Sequence, residues 1–374
     1  MPGKKIIIAG HICIDITPVF GTENRRSMET ILRPGKLTQV KEANTHSGGA
    51  VSNTGLALKL LGSDVSLIGK IGNDSFGNLV CNALGEHHAS DHLIHADGES
   101  TSYTIVIAPP GTDRIFLHNP GCNDTFCYED LDFTAMDEAC HFHFGYPPLM
   151  RNMYLNGGSE LVRIFQKVKA LGLTTSLDMA AIDPDSEAGR CDWAGIIKKV
   201  LPYVDFFVPS IEELGYMIDR DRYQDWLRRA DGADITSILS IEHDIKPLAD
   251  LLLSWGAKAV FIKCGAPGLY FRTNSAAVMS SQLPAFSDWH DLAIFEHSFL
   301  PDRLLSATGA GDTSIAAFLK AVHDGYSPKD CLALAAATGA SCVTTYDALS
   351  GLLSFDQLQE KIAAGWDKQQ LILP

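Results

Sequence analysis

The chain has 374 residues, 46% of them apolar and 20% charged, and a formal net charge of −15 at pH 7. This suits one large folded α/β unit, or one with a small appendage, and argues against bulk disorder. The acidic balance and the absence of a Lys/Arg cluster speak against nucleic acid and anionic membrane as partners, since both select a basic footprint.

A small anion held by backbone amides stays compatible with that charge. The nine cysteines are scattered, without a CxxC pair, which fits a reducing compartment. The start, "MPGKKIIIAG", has too short an apolar run for a signal peptide, and no apolar stretch is long enough for a bilayer. A soluble, cytoplasmic protein is expected.

"KIIIAG" at the N-terminus is a short, fully apolar run of the kind that forms a buried parallel strand. Residues 12–46 follow, with Asp15, polar turn residues and the extended-looking "KLTQVKEANTH". "AVSNTGLALKLLG" carries Val51, Leu58 and Leu61 at helical spacing and stops at Gly62. "DVSLIGKIG" predicts a strand. In residues 101–118, "TSYTIVIA" and "RIFLH" flank the turn "PPGTD" and predict a hairpin. The stretches 12–46 and 101–118 together suggest a small sheet projecting from the main body, as either an inert extension or a lid.

"CHFHF" places His141 and His143 on one face of an extended strand. A metal pair is one reading; alternating histidines near a strand end are more often packing or lining residues. "ELVRIFQKVKALG" then reads as a helix, "LTTSLDMA" and "VDFFVPS" as strands, and "SIEELGYMI" as a helix start. "LADLLLSWG" and "AKAVFIKCG" form one more helix–strand pair. Such alternation implies a mostly parallel sheet with helices on both faces. Segments 216–245 and 273–300 read as surface elaborations. "DTSIAAFLKAVHDG" puts Ile315, Phe318, Leu319 and Val322 on one helix face, and Ser327 with Pro328 opens the next helix.

Two stretches carry chemistry. "SATGAGD" leads into a helix through Gly309, Ala310 and Gly311, where unpartnered amides make a natural anion cradle. Asp312 follows in the first turn, either as a capping acid or as a base beside the anion it serves. "HSGGAVSNTG" holds Gly48, Gly49 and Asn53; it is either a plain turn or a close approach to a ligand whose hydroxyls Asn53 could meet. Neither GxxxxGK[ST] nor an early GxGxxG is present.

Together and in this order, "GGAVSNTG" and "SATGAGD" resemble the ribokinase-like (PfkB) carbohydrate kinases. "GKIGNDSFG" is similar to the family's VGxDxxG segment, "PSIEE" to its PNxxE, and "IKCGAPGLYF" to its nucleotide-side TxGxxG. The resemblance runs from about residue 5 to about residue 345. It implies a single domain over 1–374, a three-layer α/β/α fold with a mostly parallel central sheet, and a small β-sheet lid from about 12–46 and 101–118.

It also implies ATP-dependent phosphorylation of a hydroxyl on a small sugar, sugar acid or nucleoside. Asp312 would be the base, and the amides of Gly309, Ala310 and Gly311 the anion hole. Asp15, Gly48, Gly49 and Asn53 would bind the acceptor. Gly265, Gly268 and Ser210 would lie on the ATP side, and Glu213 would hold Mg²⁺ through water. The lid is often a homodimer surface in the family.

The chain departs from the pattern in places. Ser306-Ala307 stands where the family commonly has Asp-Thr, which leaves a monovalent-cation requirement open. Ser210 replaces the usual Asn. Ala50 stands where members that take ribose or a sugar phosphate frequently have Lys. A phosphorylated acceptor would need lid residues such as Arg26, Arg33, Lys36 or Arg114. An unphosphorylated acceptor is therefore expected, and Tyr146 is a possible contact with an equal claim to packing. The alternative is a catalytically silent sugar- or nucleotide-binding regulator, against which the retained Asp312 speaks. A Rossmann-type oxidoreductase lacks its fingerprint loop.

Overall fold

The computed structural model describes residues 5–21, 31, 33–109, 115–136 and 138–369. The expected basic residues Arg26 and Arg114, and most of the turn "PPGTD", lie outside them.

Eight strands form the central sheet: β1 (Lys5–Gly10), β4 (Val65–Ile68), β9 (Ala139–Gly145), β10 (Thr174–Leu177), β11 (Phe206–Phe207), β12 (Ala259–Lys263), β13 (Gly268–Thr273) and β14 (Ala293–His297). Their order is β14-β13-β12-β11-β10-β9-β1-β4. From β4 to β12 every pair is parallel; β13 and β14 complete the sheet antiparallel.

The uniformly apolar strands have a simple cause. With helices on both faces, alternate residues of β1 enter different cores: Ile7 and Ala9 join one and Ile6 and Ile8 the other. The second core receives the helix Ala310–Asp324, whose residues Ile315 to Leu319 are all buried. Its apolar surface is wider than the single face the spacing suggests, because the alanines between the large residues are covered as well.

The segment "DVSLIGKIG" corrects one expectation. It is two strands, broken at Gly69: β4 stays in the central sheet, while β5 (Lys70–Gly72) pairs with β6 (Ile94–Ala96). The two projecting segments do form one small sheet, with β2 (Cys13–Pro18), β3 (Ala43–Gly48), β7 (Tyr103–Ile107) and β8 (Ile115–Asn119) in the order β3-β2-β7-β8. Asp74 fastens its root. The carboxylate caps the helix Ser75–Gly85 through the Gly77 amide at 2.8 Å and accepts from both the amide and the hydroxyl of Thr101.

Segments 216–245 and 273–300 are more than surface elaborations. Trp226 is fully buried, and β14 is an edge strand of the central sheet. Among the described residues no helix is long and apolar enough to cross a membrane.

Candidate active site

Ligand sites in parallel sheets gather at the carboxyl ends of the strands. Here that edge carries His11 after β1, Tyr146 after β9, Asp178 after β10, Ser210 after β11 and Lys263 closing β12. The helix Ala310–Asp324 starts over the same edge.

Gly309 precedes that helix with φ +76, a left-handed conformation that a side chain would strain. The turn sets Asp312 in the first turn of the helix, and the Ala310 amide there donates to the Ala307 carbonyl at 3.3 Å. Asp312 is 4% exposed. Its Oδ2 accepts from Asn53 Nδ2 at 2.9 Å and its Oδ1 from the Tyr146 hydroxyl at 2.7 Å. Among the described residues its side-chain bonds run to Asn53 and Tyr146, and none runs to an amide of its own helix. Burial raises its carboxyl above the usual range, while Lys263, Tyr146 and Asn53 pull it part of the way back.

Asn53 follows Gly48 and Gly49 in the helix Gly49–Leu60. The glycine pair has a different use from the one its composition suggests. A side chain on Gly48 would strike the Asp15 carboxylate, and one on Gly49 would strike the His11 carbonyl. What approaches these glycines is protein.

Asp15 belongs to a polar row across the small sheet. The pairings His46–Asp15, Asp15–Thr104 and Thr104–His118 put these four residues on one face. Burial raises the Asp15 carboxyl, opposed by bonds from Cys13 and Thr104, and Asp312 adds to the rise as a like charge. His11 is buried, and its ring lies tilted against that of His118 with centroids 5.1 Å apart. The ring atoms His11 Nδ1 and His118 Nε2 are buried with no partner among the described residues.

On the opposite side, Lys263 Nζ meets Asp178 Oδ1 at 2.6 Å. Burial raises the Asp178 carboxyl and Lys263 draws it back; the same burial works against the Lys263 ammonium, which Asp178, Glu213 and Asp312 hold above its ordinary range. Three carboxylates facing one ammonium favour the ammonium.

Ser210 bridges to Lys263 between the strand ends. Its hydroxyl accepts from the Glu213 amide at 3.2 Å, and its amide donates to Glu213 Oε2 at 2.7 Å, a reciprocal cap of the helix Ile211–Ile218. One oxygen of Glu213 is thereby committed to the cap. Gly265 and Gly268 lie in the turn between β12 and β13, where the Cys264 amide donates to the Gly268 carbonyl.

Sequence reasoning missed Lys263 and Asp178 and left Tyr146 ambiguous. The available signal was a charged residue directly at the end of an apolar strand, in "AVFIK" and "TTSLD". The His141 and His143 rings both bond the Ser176 hydroxyl, at 2.7 and 2.8 Å. Among the described residues no group of three His, Cys, Asp or Glu has the placement of a metal site.

The profile of the pfkB family carbohydrate kinases matches residues 4–354. An uncharacterized sugar kinase of Archaeoglobus fulgidus is 22% identical over 79% of this chain and 98% of its own. A 5-dehydro-2-deoxygluconokinase of Clostridium botulinum is 23% identical over 96% of this chain and 92% of its own. Among solved structures, the ribokinase of Arabidopsis thaliana complexed with ribose and ATP superposes with a TM-score of 0.71 at 19% identity, covering 96% of this chain and 98% of that one. A ribokinase II from E. coli with ATP and Mg²⁺ gives 0.70 at 18%, covering 96% and 99%. The fold is thus the ribokinase-like α/β/α sandwich with its small second sheet, and the chain belongs to the pfkB family of carbohydrate kinases, phosphotransferases that act on hydroxyl groups.

Proposed function

We propose that the chain transfers the γ-phosphoryl group of ATP to a hydroxyl of a small unphosphorylated sugar, sugar acid or nucleoside. The observation that carries this reading is the buried Asp312 carboxylate, held by Asn53 and Tyr146 beside the Gly309–Gly311 turn.

Each Asp312 oxygen keeps lone-pair capacity beyond the bond it accepts, so an acceptor hydroxyl can approach without displacing either holder. An alcohol is too weak an acid to ionise in the ground state; its proton leaves late, and a positioned base contributes about 10²- to 10⁴-fold. Burial serves this step, because a carboxyl raised above its usual range takes the proton more readily. The amides of Gly309, Ala310 and Gly311 meet the charge on the transferring group.

Asp15 and its row on the small sheet would hold the acceptor's other hydroxyls, with Gly48 and Gly49 keeping Asp15 and His11 close. The small sheet, from about 12–46 and 101–118, would act as the lid of a single domain over 1–374 and exclude water. It is also the surface on which a homodimer would form.

Gly265, Gly268 and Ser210 would border the nucleotide. Glu213 suits Mg²⁺ held through water: it is a hard oxygen donor with one oxygen outside the helix cap, in electrostatic reach of Lys263 and Asp312. Mg²⁺, when bound, supplies charge neutralisation on the phosphates. The E. coli relative is described with ATP and Mg²⁺, which supports this pairing of cofactors.

The test is ADP release from MgATP across a panel of sugars, sugar acids, polyols, nucleosides and sugar phosphates, for wild type and Asp312→Asn. Turnover with one acceptor, reduced about 10²-fold or more in the variant, is expected. ATP binding without any acceptor-dependent turnover would favour a silent regulator. Turnover that survives Asp312→Asn would remove the base from its role.

A further inference from the structure

The pair of Lys263 and Asp178 is less complete than the pair Arg229–Asp244. In the pair Arg229–Asp244, both carboxylate oxygens are filled, by Arg229 together with Trp226 Nε1 and the Ser240 amide. Such a pair is complete. Asp178 Oδ2, by contrast, is buried with no partner among the described residues. Lys263 makes one hydrogen bond there, to Asp178 Oδ1, although an ammonium has three donors. Its side chain is only 13% exposed, so water does not readily supply the rest. Burying an ammonium with donors to spare is costly unless something else receives them.

The direction of the side chain says what that is. A methyl group on Gly311 would lie 3.2 Å from Lys263 Cδ and 3.7 Å from Nζ. The ammonium therefore lies along Gly311, on the flank of the turn that starts the helix Ala310–Asp324. A cation and a helix N-terminus converge there, and both favour an anion.

We propose that Lys263 is a catalytic residue whose ammonium takes an oxygen of the γ-phosphoryl group, with Asp178 as the positioning residue that aims it across Gly311. This rests on the kinase reading above and adds a side-chain cation to a cradle otherwise made of backbone. In the step, the bond from Pγ to the bridging oxygen of the β-phosphate breaks and a bond from Pγ to the acceptor oxygen forms. The acceptor proton goes to Asp312, and Lys263 keeps its protons throughout. The lysine also offsets Asp178, Glu213 and Asp312, which would otherwise repel the triphosphate.

The experiment is calorimetric titration of wild type and Lys263→Met with Mg²⁺ and either the β,γ-imido analogue of ATP or ADP. Only the first carries a γ-phosphoryl group. Lys263→Met is expected to weaken the imido analogue by about 10- to 100-fold, as loss of a charge-assisted bond would, and to leave ADP within about threefold. Equal loss for both nucleotides, or loss for neither, overturns the proposal while leaving the kinase reading intact. Wild type that binds neither nucleotide overturns the kinase reading itself. Should Lys263→Met fold poorly with Asp178 left alone, the double variant Lys263→Met/Asp178→Asn removes both charges together and carries the same comparison.

Discussion

Two helices of this chain begin at small residues, and the space beside each is used in opposite ways. At Gly48-Gly49 the protein itself fills it, with the Asp15 carboxylate against one glycine and the His11 carbonyl against the other. At Gly309–Gly311 the neighbours are the Ala348 methyl behind Gly309 and the Lys263 side chain along Gly311. The first helix start is a joint that fastens the small sheet to the main body. The second is the cradle of the proposed phosphoryl transfer. Small residues announce a close approach; what approaches is decided by chain segments far away in sequence.

The sharpest way to break this comparison is to place the same methyl at each of the two helix starts. Gly49 and Gly309 have φ of +82 and +76, so alanine carries a similar backbone penalty of about 1–2 kcal/mol at each. Gly309→Ala shifts the cradle amides, and turnover with the identified acceptor is expected to fall about 10²-fold, the scale of losing one anion-hole donor. Gly49→Ala should lower the melting temperature comparably and leave affinity for the Mg²⁺ complex of the β,γ-imido ATP analogue within a factor of about two, an affinity that Gly309→Ala weakens. A cradle-like loss of nucleotide affinity at Gly49 would erase the distinction.

Much of this architecture was legible in the residues. The apolar run "KIIIAG" and the helix stop at Gly62 correspond to β1 and to a helix end, since local rules set them. The break at Gly69 was not legible, because "DVSLIGKIG" is equally apolar on both sides, and only pairing with β6 draws its second half away. In the site, Asp312 was legible from its glycines. Tyr146 was not, because its role depends on a left-handed backbone at φ 64 that turns the ring back toward Asp312. Glu213 shows the converse: "SIEE" already spells a capping box, and that local bond coexists with the role the family resemblance implies.

Tyr146 and Asn53 give the next test, smaller in size. Burial and the nearby carboxylates raise the Tyr146 hydroxyl well above its ordinary range, so it stays a donor to Asp312. Tyr146→Phe removes a bond that favours the ionised carboxylate. The Asp312 carboxyl then rises further, and the acid limb of the kcat/KM profile moves to higher pH, with about 10-fold lower activity at neutral pH. A residue that merely packs would leave the limb in place.

Smaller again is a stability effect with a defined sign. A carboxyl raised by folding contributes stability below its unfolded value, and that contribution is lost as pH rises through the folded value. Asp312→Asn does not titrate, so at pH 7–8 it should melt a few degrees higher than wild type, about 1 kcal/mol on the usual scale of such trade-offs. The gap should close as pH falls toward about 4, the ordinary carboxylate range. A gap independent of pH would mean that Asp312 is not strained by its burial.

The last contrast sets the site against the other polar cluster beneath the helix Ala310–Asp324. Burial lowers His143 to about 3 and His323 to about 4, and places His141 well below its usual range, so all three rings are neutral at physiological pH. A single hydroxyl, Ser176 Oγ, then serves two rings, donating to one and accepting from the other. Ser176→Ala leaves two buried ring nitrogens unpaired and should cost about 1–3 kcal/mol in thermal unfolding. It removes no charge and touches neither Asp312 nor the cradle, so turnover should stay within about twofold. A large kinetic loss with unchanged stability would move this cluster from the packing of the molecule into its chemistry.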